Sequence, residues 1–188
     1  MDWVNWLDAV EFCRRLNQRT GQCYGLSSEA QWDYTCRAGS TTPFHFGAPL
    51  TPELANYDGN YVYVEGREGE YRKQTTPVGI FPANAWGLHE MHGNVYELCL
   101  DHWHHGYEGT PADGSAWLSS TDQQQQSTPK AVEVGTDDSE PKLLRGGSWG
   151  SLPRSCRSAD RNHHRPVCAN DDVGFRVVCL PQGPSLNP

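Results

Sequence analysis

Up to about residue 39 the apolar positions recur at helical spacing, and after residue 43 that recurrence stops. Asn5 can cap a first helix whose inward stripe is Trp6, Val10, Cys13 and the Leu16-Asn17 step, with its end near Thr20-Gly21. Ser28 and Gln31 have the spacing of a capping box for a second helix, which turns Trp32 and Cys36 inward and stops at Gly39. From Pro43 onward Gly, Pro, Asn and aromatics dominate, with short strand candidates at 77–81 and 97–101. Such a stretch must be held by turn chemistry, loop packing and bound ions more than by long ladders. Near the C-terminus a Gly146-Gly147 turn leads into Ser148-Trp149, and residues 174–178 read as a strand. Between them runs a string of Ser, Arg, His, Asn and Asp with no period.

Length and charge narrow the picture. A chain of 188 residues suits one domain with a real core, here taken as 1–180 with a tail at 181–188. Residues 119–142 are polar and low in complexity, which predicts an exposed inserted loop and not an interdomain linker. A net charge of −8 argues against nucleic acid as a partner, since sequence-independent binding needs a basic face. The longest apolar runs span only a few residues, so no membrane span is expected. The first residues, MDWVNWLDAV, lack both the basic and the apolar region of a leader, which favours the cytoplasm. Cys13, Cys23, Cys36, Cys99, Cys156, Cys168 and Cys179 form an odd set without zinc spacing. Buried free thiols are the better reading, with one or two disulfides left open.

Two clusters suggest chemistry and have plainer explanations. His102, His104 and His105 could hold a metal, but no carboxylate or Cys pattern accompanies them, so an exposed aromatic-rich loop is preferred. Arg145, Arg157, Arg161 and Arg176 could bind an anion, yet arginines stacked on Trp or paired with buried acids are commoner. No Ser-His-Asp order, phosphate-binding glycine loop or paired-carboxylate motif stands out.

Six segments occur in a telling order: WLDAVEFCRRLN, LSSEAQWDYTCRAG, ANYDGNY, TTPVGIFPANAWGLHEMHGNVYELCLD, LRGGSW and GFRVV. Together they resemble the successive motifs of the formylglycine-generating-enzyme, or sulfatase-modifying factor, family. That resemblance implies an α+β, C-type-lectin-like fold: two helices, a small mainly antiparallel sheet and much irregular structure. Trp32, Trp86, Trp149 and Phe175 are expected in its core, because aromatics bury the most area.

The same resemblance allows the enzyme reading to be tested. The family's oxidases carry two cysteines five apart after the GGS turn, which bind copper as thiolates. Here Cys156 fills the second place and Ser151 the first, and a hydroxyl is a poor soft-metal ligand. No copper is therefore expected, and catalysis is expected to be lost.

A second group on this fold, the variable proteins of diversity-generating retroelements, resembles the chain more closely in the strip 145–179. There, error-prone copying at adenines of Asn codons yields fifteen residue types and never Lys, Glu, Gln, Met or Trp. Residues 1–149 contain 31 of those five types and residues 150–180 none, where about six would be expected at equal frequency. Against the group's pattern Gly150, Ser151, Leu152, Ser155, His163 and His164 stand at diversified positions. Asp160, Arg165, Val167, Cys168 and Ala169 are further candidates, while Pro153, Arg154, Cys156, Arg157, Ser158, Ala159 and Arg161 match the fixed framework. The resemblance implies a non-catalytic protein whose exposed strip, gathered on one face, contacts another protein or a surface macromolecule. The alternative is a formylglycine-generating-type oxidase, or a related enzyme, with an altered site. Calcium is also implied: Glu90, Gly93, Val95 and Glu97 match one family ion site, and Asn56 and Tyr57, with an acid near Glu70, match a second more loosely. A salt bridge from Glu90 and Glu97 to nearby arginines is the competing reading.

Overall fold

The computed structural model describes residues 2–118 and 140–180. Both expected helices are present. Helix α1 spans Trp6–Thr20 with Asn5 and Asp8 in a reciprocal capping box, and Gly21 closes it in the left-handed conformation. Helix α2 spans Glu29–Arg37 behind the Ser28–Gln31 box; its left-handed cap is Ala38, one residue before the glycine expected to stop it. Among the described residues there are six short strands: β1 (Cys23–Leu26), β2 (Tyr96–His102), β3 (Lys142–Arg145), β4 (Asn162–His164), β5 (Val173–Phe175) and β6 (Val177–Leu180). They form a four-stranded sheet in the order β4-β3-β2-β5 and a separate β1-β6 ladder. Only the β2–β5 pair is parallel, so the sheet is mainly antiparallel as expected.

The helices cover opposite faces of the larger sheet, and the period-two alternation of strands explains how. Leu98 and Leu144 face Trp6, Ala9 and Cys13 of α1. Their neighbours Cys99 and Leu143 face Trp32 and Cys36 of α2. Each helix also sends an indole N–H to β2: Trp6 Nε1 donates to the Cys99 carbonyl at 3.0 Å, and Trp32 Nε1 to Glu97 Oε2 at 2.7 Å. A third core, Phe44, Leu50, Ala55, Tyr57 and Cys156, holds the loops together without any ladder.

Several expectations fail. Residues 77–81 form turns and bends, not a strand, and Val78 and Ile80 are exposed. Trp86 is 48% exposed and packs at a tilt against exposed Tyr34, whereas Trp149 and Phe175 are half-buried; of the four named core aromatics only Trp32 is fully inside. Trp6, first in the inward stripe expected of α1, is inside as well, at 1% exposed. The polar loop is shorter than its composition suggests, because Lys142 already belongs to β3; its residues 119–139 and the tail 181–188 lie outside the described residues. The aperiodic strip contains a 3₁₀ turn (Pro153–Cys156) and β4.

Candidate ligand-binding surface

The strip hangs from a backbone feature that only glycine supplies. Gly146 and Gly147 both adopt left-handed φ angles, 91° and 75°. A Cβ on Gly147 would lie 2.7 Å from Cys156 Sγ and 2.9 Å from the Ser155 carbonyl, so the turn and the 3₁₀ helix are pressed directly together. Cys156 is 0% exposed, and burial drives its thiol far above the usual range. Its carbonyl meets His92 Nδ1 at 2.7 Å. Ser158 then ties the strip to the loops, its N–H and Oγ both donating to the Pro43 carbonyl.

Two arginines fix the remainder of the strip. Arg145, wholly buried at the end of β3, donates to the carbonyls of Ser158 and Asp160, pairs with Asp33 at 2.9 Å and lies against the Trp32 ring. Arg161 forks onto Glu29 at the start of α2, between the rings of Trp103 and Tyr107. Asp160 accepts from Arg157. The four arginines are thus committed to acids and aromatic faces, as the plainer reading expected.

On this support the expected variable residues sort into three kinds. Gly150, His163, Arg165 and Val167 are exposed. Leu152, Ser155, Asp160, His164, Cys168 and Ala169 are half-buried. Ser151 contradicts the expectation of exposure: it is 8% exposed, and its Oγ accepts the Ser148 N–H at 2.9 Å, beside the Ser148–Asp172 bond. A small hydroxyl there completes a tight turn. Gly150 lies beyond the Arg145 end of β3 and faces Tyr71, whose ring stacks on Trp149. His163 packs on Trp103 at 4.7 Å, and His164 pairs with Lys142 at the far end of β3. The expected framework is mixed too: Pro153, Cys156 and Ser158 are buried, but Arg154 and Ala159 are exposed.

Tyr71, Trp103 and Tyr107 are surface contributors that the strip's own sequence does not announce. They come from distant loops and meet the strip only in the folded chain. The histidines near β2 behave differently from an exposed loop. His102 is buried with Nε2 at 2.6 Å from Lys142 Nζ, His104 stacks on Trp117, and only His105 is exposed. Among the described residues no group of three His, Cys, Asp or Glu side chains is arranged to hold a metal.

The candidate ion loops can be tested against a donor set. Glu90, Val95 and Glu97 line one cavity of about 180 Å³ together with Thr75 and Thr76. Gly93 does not line it, since it forms a bridge with Asn56. Glu90 Oε1 accepts the Gly79 N–H at 2.9 Å, and its buried Oε2 accepts no hydrogen bond. That orphaned carboxylate oxygen in a cavity fits a hard cation such as calcium. Glu97 is salt-bridged, to Arg176, as the competing reading required; Glu90 is not. At the second site, which would use Asn56 and the Tyr57 carbonyl, Asn56 Oδ1 is buried without a donor and Glu70 is exposed beside Arg72.

Comparison with known proteins agrees with this architecture. Residues 1–180 match the model of the sulfatase-modifying factor enzyme 1-like domain. The chain is 30% identical to formylglycine-generating enzyme of Bos taurus, over 93% of its own length and 42% of that protein. With the enzyme of Mycobacterium tuberculosis it shares 30% identity over 95% of its length and 56% of that protein, so it spans about half of these curated relatives. Among solved structures, PvdO from Pseudomonas aeruginosa superposes with a TM-score of 0.75 at 35% identity, covering 95% of this chain and 60% of that one. Treponema denticola variable protein 1 superposes with a TM-score of 0.69 at 19% identity, covering 96% and 71%, a likeness of fold. A family match over residues 1–180 makes this protein a member of the formylglycine-generating-enzyme (sulfatase-modifying factor) family, with its C-type-lectin-like fold.

Proposed function

We propose that the protein is a non-catalytic ligand-binding member of this family, in which the exposed positions of 150–169 contact a protein or surface macromolecule and are diversified by a retroelement. The observation that carries this reading is the state of the would-be thiolate pair. One position is Ser151, closed into a turn with Ser148; the other is Cys156, sealed beneath Gly147 with its thiol held protonated by burial. A buried thiol held protonated and a hydroxyl that is already bonded are a poor soft-metal redox pair. The variable protein of Treponema denticola supports the reading through its fold, and the absence of five residue types from 150–180 supports diversification. Seven unpaired cysteines suit a reducing compartment.

The 30% identity to formylglycine-generating enzymes and the 35% identity to PvdO favour a second reading, an oxidase with altered chemistry. Incubation with a cysteine peptide bearing the sulfatase motif, with and without copper, separates the two. No mass change on the peptide is expected, and turnover would overturn the proposal. The neighbouring DNA supplies an independent check: a near-repeat of the 3′ end with adenines at the exposed strip positions, beside a reverse-transcriptase gene.

A further inference from the structure

The chain carries −8 overall, yet its positive charge is unevenly placed. Residues 150–169 hold four arginines and one aspartate, a charge of +3, which leaves −11 on the rest. How those cations are used matters more than their number. Of the twelve arginines in the sequence, nine form an ion pair with an Asp or Glu of the described residues. Arg19, in the last turn of α1, answers the negative end of that helix. The remaining two, Arg154 and Arg165, both belong to the strip. Both are exposed, and among the described residues neither pairs with an acid. A third uncommitted cation, Lys73, is exposed beside the start of the strip, its Nζ 5.7 Å from the centre of the Tyr71 ring that stacks on Trp149. Arg157 adds part of a fourth: its Nε donates to the Arg154 carbonyl at 2.7 Å, and 39% of its side chain stays exposed despite the bond to Asp160. Exposed Asp171, whose carbonyl accepts from Trp149 Nε1, opposes them.

Building on the ligand-binding reading above, we propose that the strip's partner is an acidic protein surface, whose carboxylates are taken by Arg154, Arg165 and Lys73. An arginine with no acid of its own offers a planar fork that fits a carboxylate with two bonds. The strip also exposes His163, and Val167 at 45%, while the scaffold adds Tyr107 at 58%. Such apolar and aromatic area anchors protein interfaces, and it favours a protein over a polysaccharide. A densely charged nucleic acid is disfavoured by the −11 carried elsewhere, which repels it at long range. An acidic patch of a few carboxylates meets the local charge of +3 without that penalty.

The test titrates a short labelled peptide of alternating Glu and Tyr with the full chain and follows its anisotropy. Binding is expected at low salt, and it should fall away as NaCl rises from about 20 to about 300 mM, where exposed charges are screened. The triple variant Lys73→Gln, Arg154→Gln, Arg165→Gln should lose about tenfold in affinity, and Asp171→Asn should gain. A control triple, Arg14→Gln, Arg15→Gln, Arg67→Gln, changes the net charge equally at paired sites and should bind like the wild type. All of these positions are exposed, so melting temperatures are expected to hold. Equal loss in the control overturns the proposal, because net charge and not the strip would then be the cause. Absence of Glu-Tyr binding, or a strip triple variant that binds like the wild type, overturns it too. Tighter binding of a hyaluronate fragment with the same number of carboxylates overturns it in favour of a polysaccharide. None of these outcomes alters the peptide-oxidation and neighbouring-DNA tests, so the partner's chemistry and the underlying reading fail separately.

Discussion

Arg161 reaches across 132 residues of sequence to take both carboxylate oxygens of Glu29, Nε at 2.7 Å and Nη2 at 2.8 Å. Each side chain is only 10% exposed, and the rings of Trp103 and Tyr107 flank the guanidinium at 4.9 and 4.5 Å. The pair pins the middle of the strip to the first turn of α2, two residues before His163 emerges at the surface. Support and display thus alternate along a few residues.

Breaking that pair should cost far more than losing a surface contact. Removing one partner leaves the other charge buried, typically about 3–5 kcal/mol. Arg161→Ala is therefore expected to shift urea unfolding by about that amount. Arg161→Lys should recover only part of it, because an ammonium cannot fork onto both oxygens or stack between two rings. A loss below about 1 kcal/mol for Arg161→Ala would mean that the pair is not what holds the strip.

The exposed strip positions should be permissive. A combined Gly150→Ala, His163→Ala, Arg165→Ala and Val167→Ala variant should lose no more than about 0.5 kcal/mol per site. Ser151→Ala should behave differently although it lies next to exposed Gly150. It leaves the buried Ser148 N–H unanswered, a cost of about 1–3 kcal/mol. Thermal melts of the two variants check the contrast, and equal losses would return Ser151 to the variable set.

Legibility in the sequence depends on how local each feature is. Both helix starts are readable because a capping box is a contact between residues three apart, Asn5 with Asp8 and Ser28 with Gln31. The β2 strand is readable from its apolar run. Trp86 misleads because its exposure depends on Tyr34, a partner in another element, and hydrophobicity alone does not say that two aromatics cover each other at the surface. Ser151 misleads for the opposite reason: a small polar residue looks exposed until Ser148 and Asp172 are brought beside it by the turn. The surface aromatics Tyr71 and Trp103 belong to the site only through long-range packing, which no periodicity records.

Thiol reactivity should divide the cysteines by burial. Cys156 and Cys99 are raised far above the ordinary range by burial, and Cys36 to about 12 for the same reason, whereas Cys179 is exposed. Brief treatment of the native protein with iodoacetamide, read by peptide mass, should modify Cys179 and leave Cys36, Cys99 and Cys156 intact. Labelling of Cys156 at a rate near that of Cys179 would show an accessible thiolate and revive the oxidase reading.

Acid should destabilise the protein through His92 while Asp101 works in the other direction. Burial pushes His92 down from 6.5 to about 3, against the bond from its Nδ1 to the Cys156 carbonyl, and its Nε2 accepts the His45 N–H at 3.0 Å. A depressed histidine stabilises the fold above 6.5, and that contribution drains away as pH falls toward about 3. Asp101 is raised by burial from 3.8 to about 6, although the N–H groups of Trp117 and Glu29 hold it back. Its protonated form is the one the fold prefers, so its contribution is complete below 3.8 and lost as pH rises through about 6. Urea midpoints at neutral pH and near pH 5 should therefore fall on acidification in the wild type. His92→Gln should flatten that fall by removing the group that resists protonation. Asp101→Asn should steepen it by removing the group that welcomes a proton. The comparison is internal, since acid losses from other carboxylates are common to all three proteins. If His92→Gln keeps the wild-type slope, the buried imidazole is not the source of the acid sensitivity.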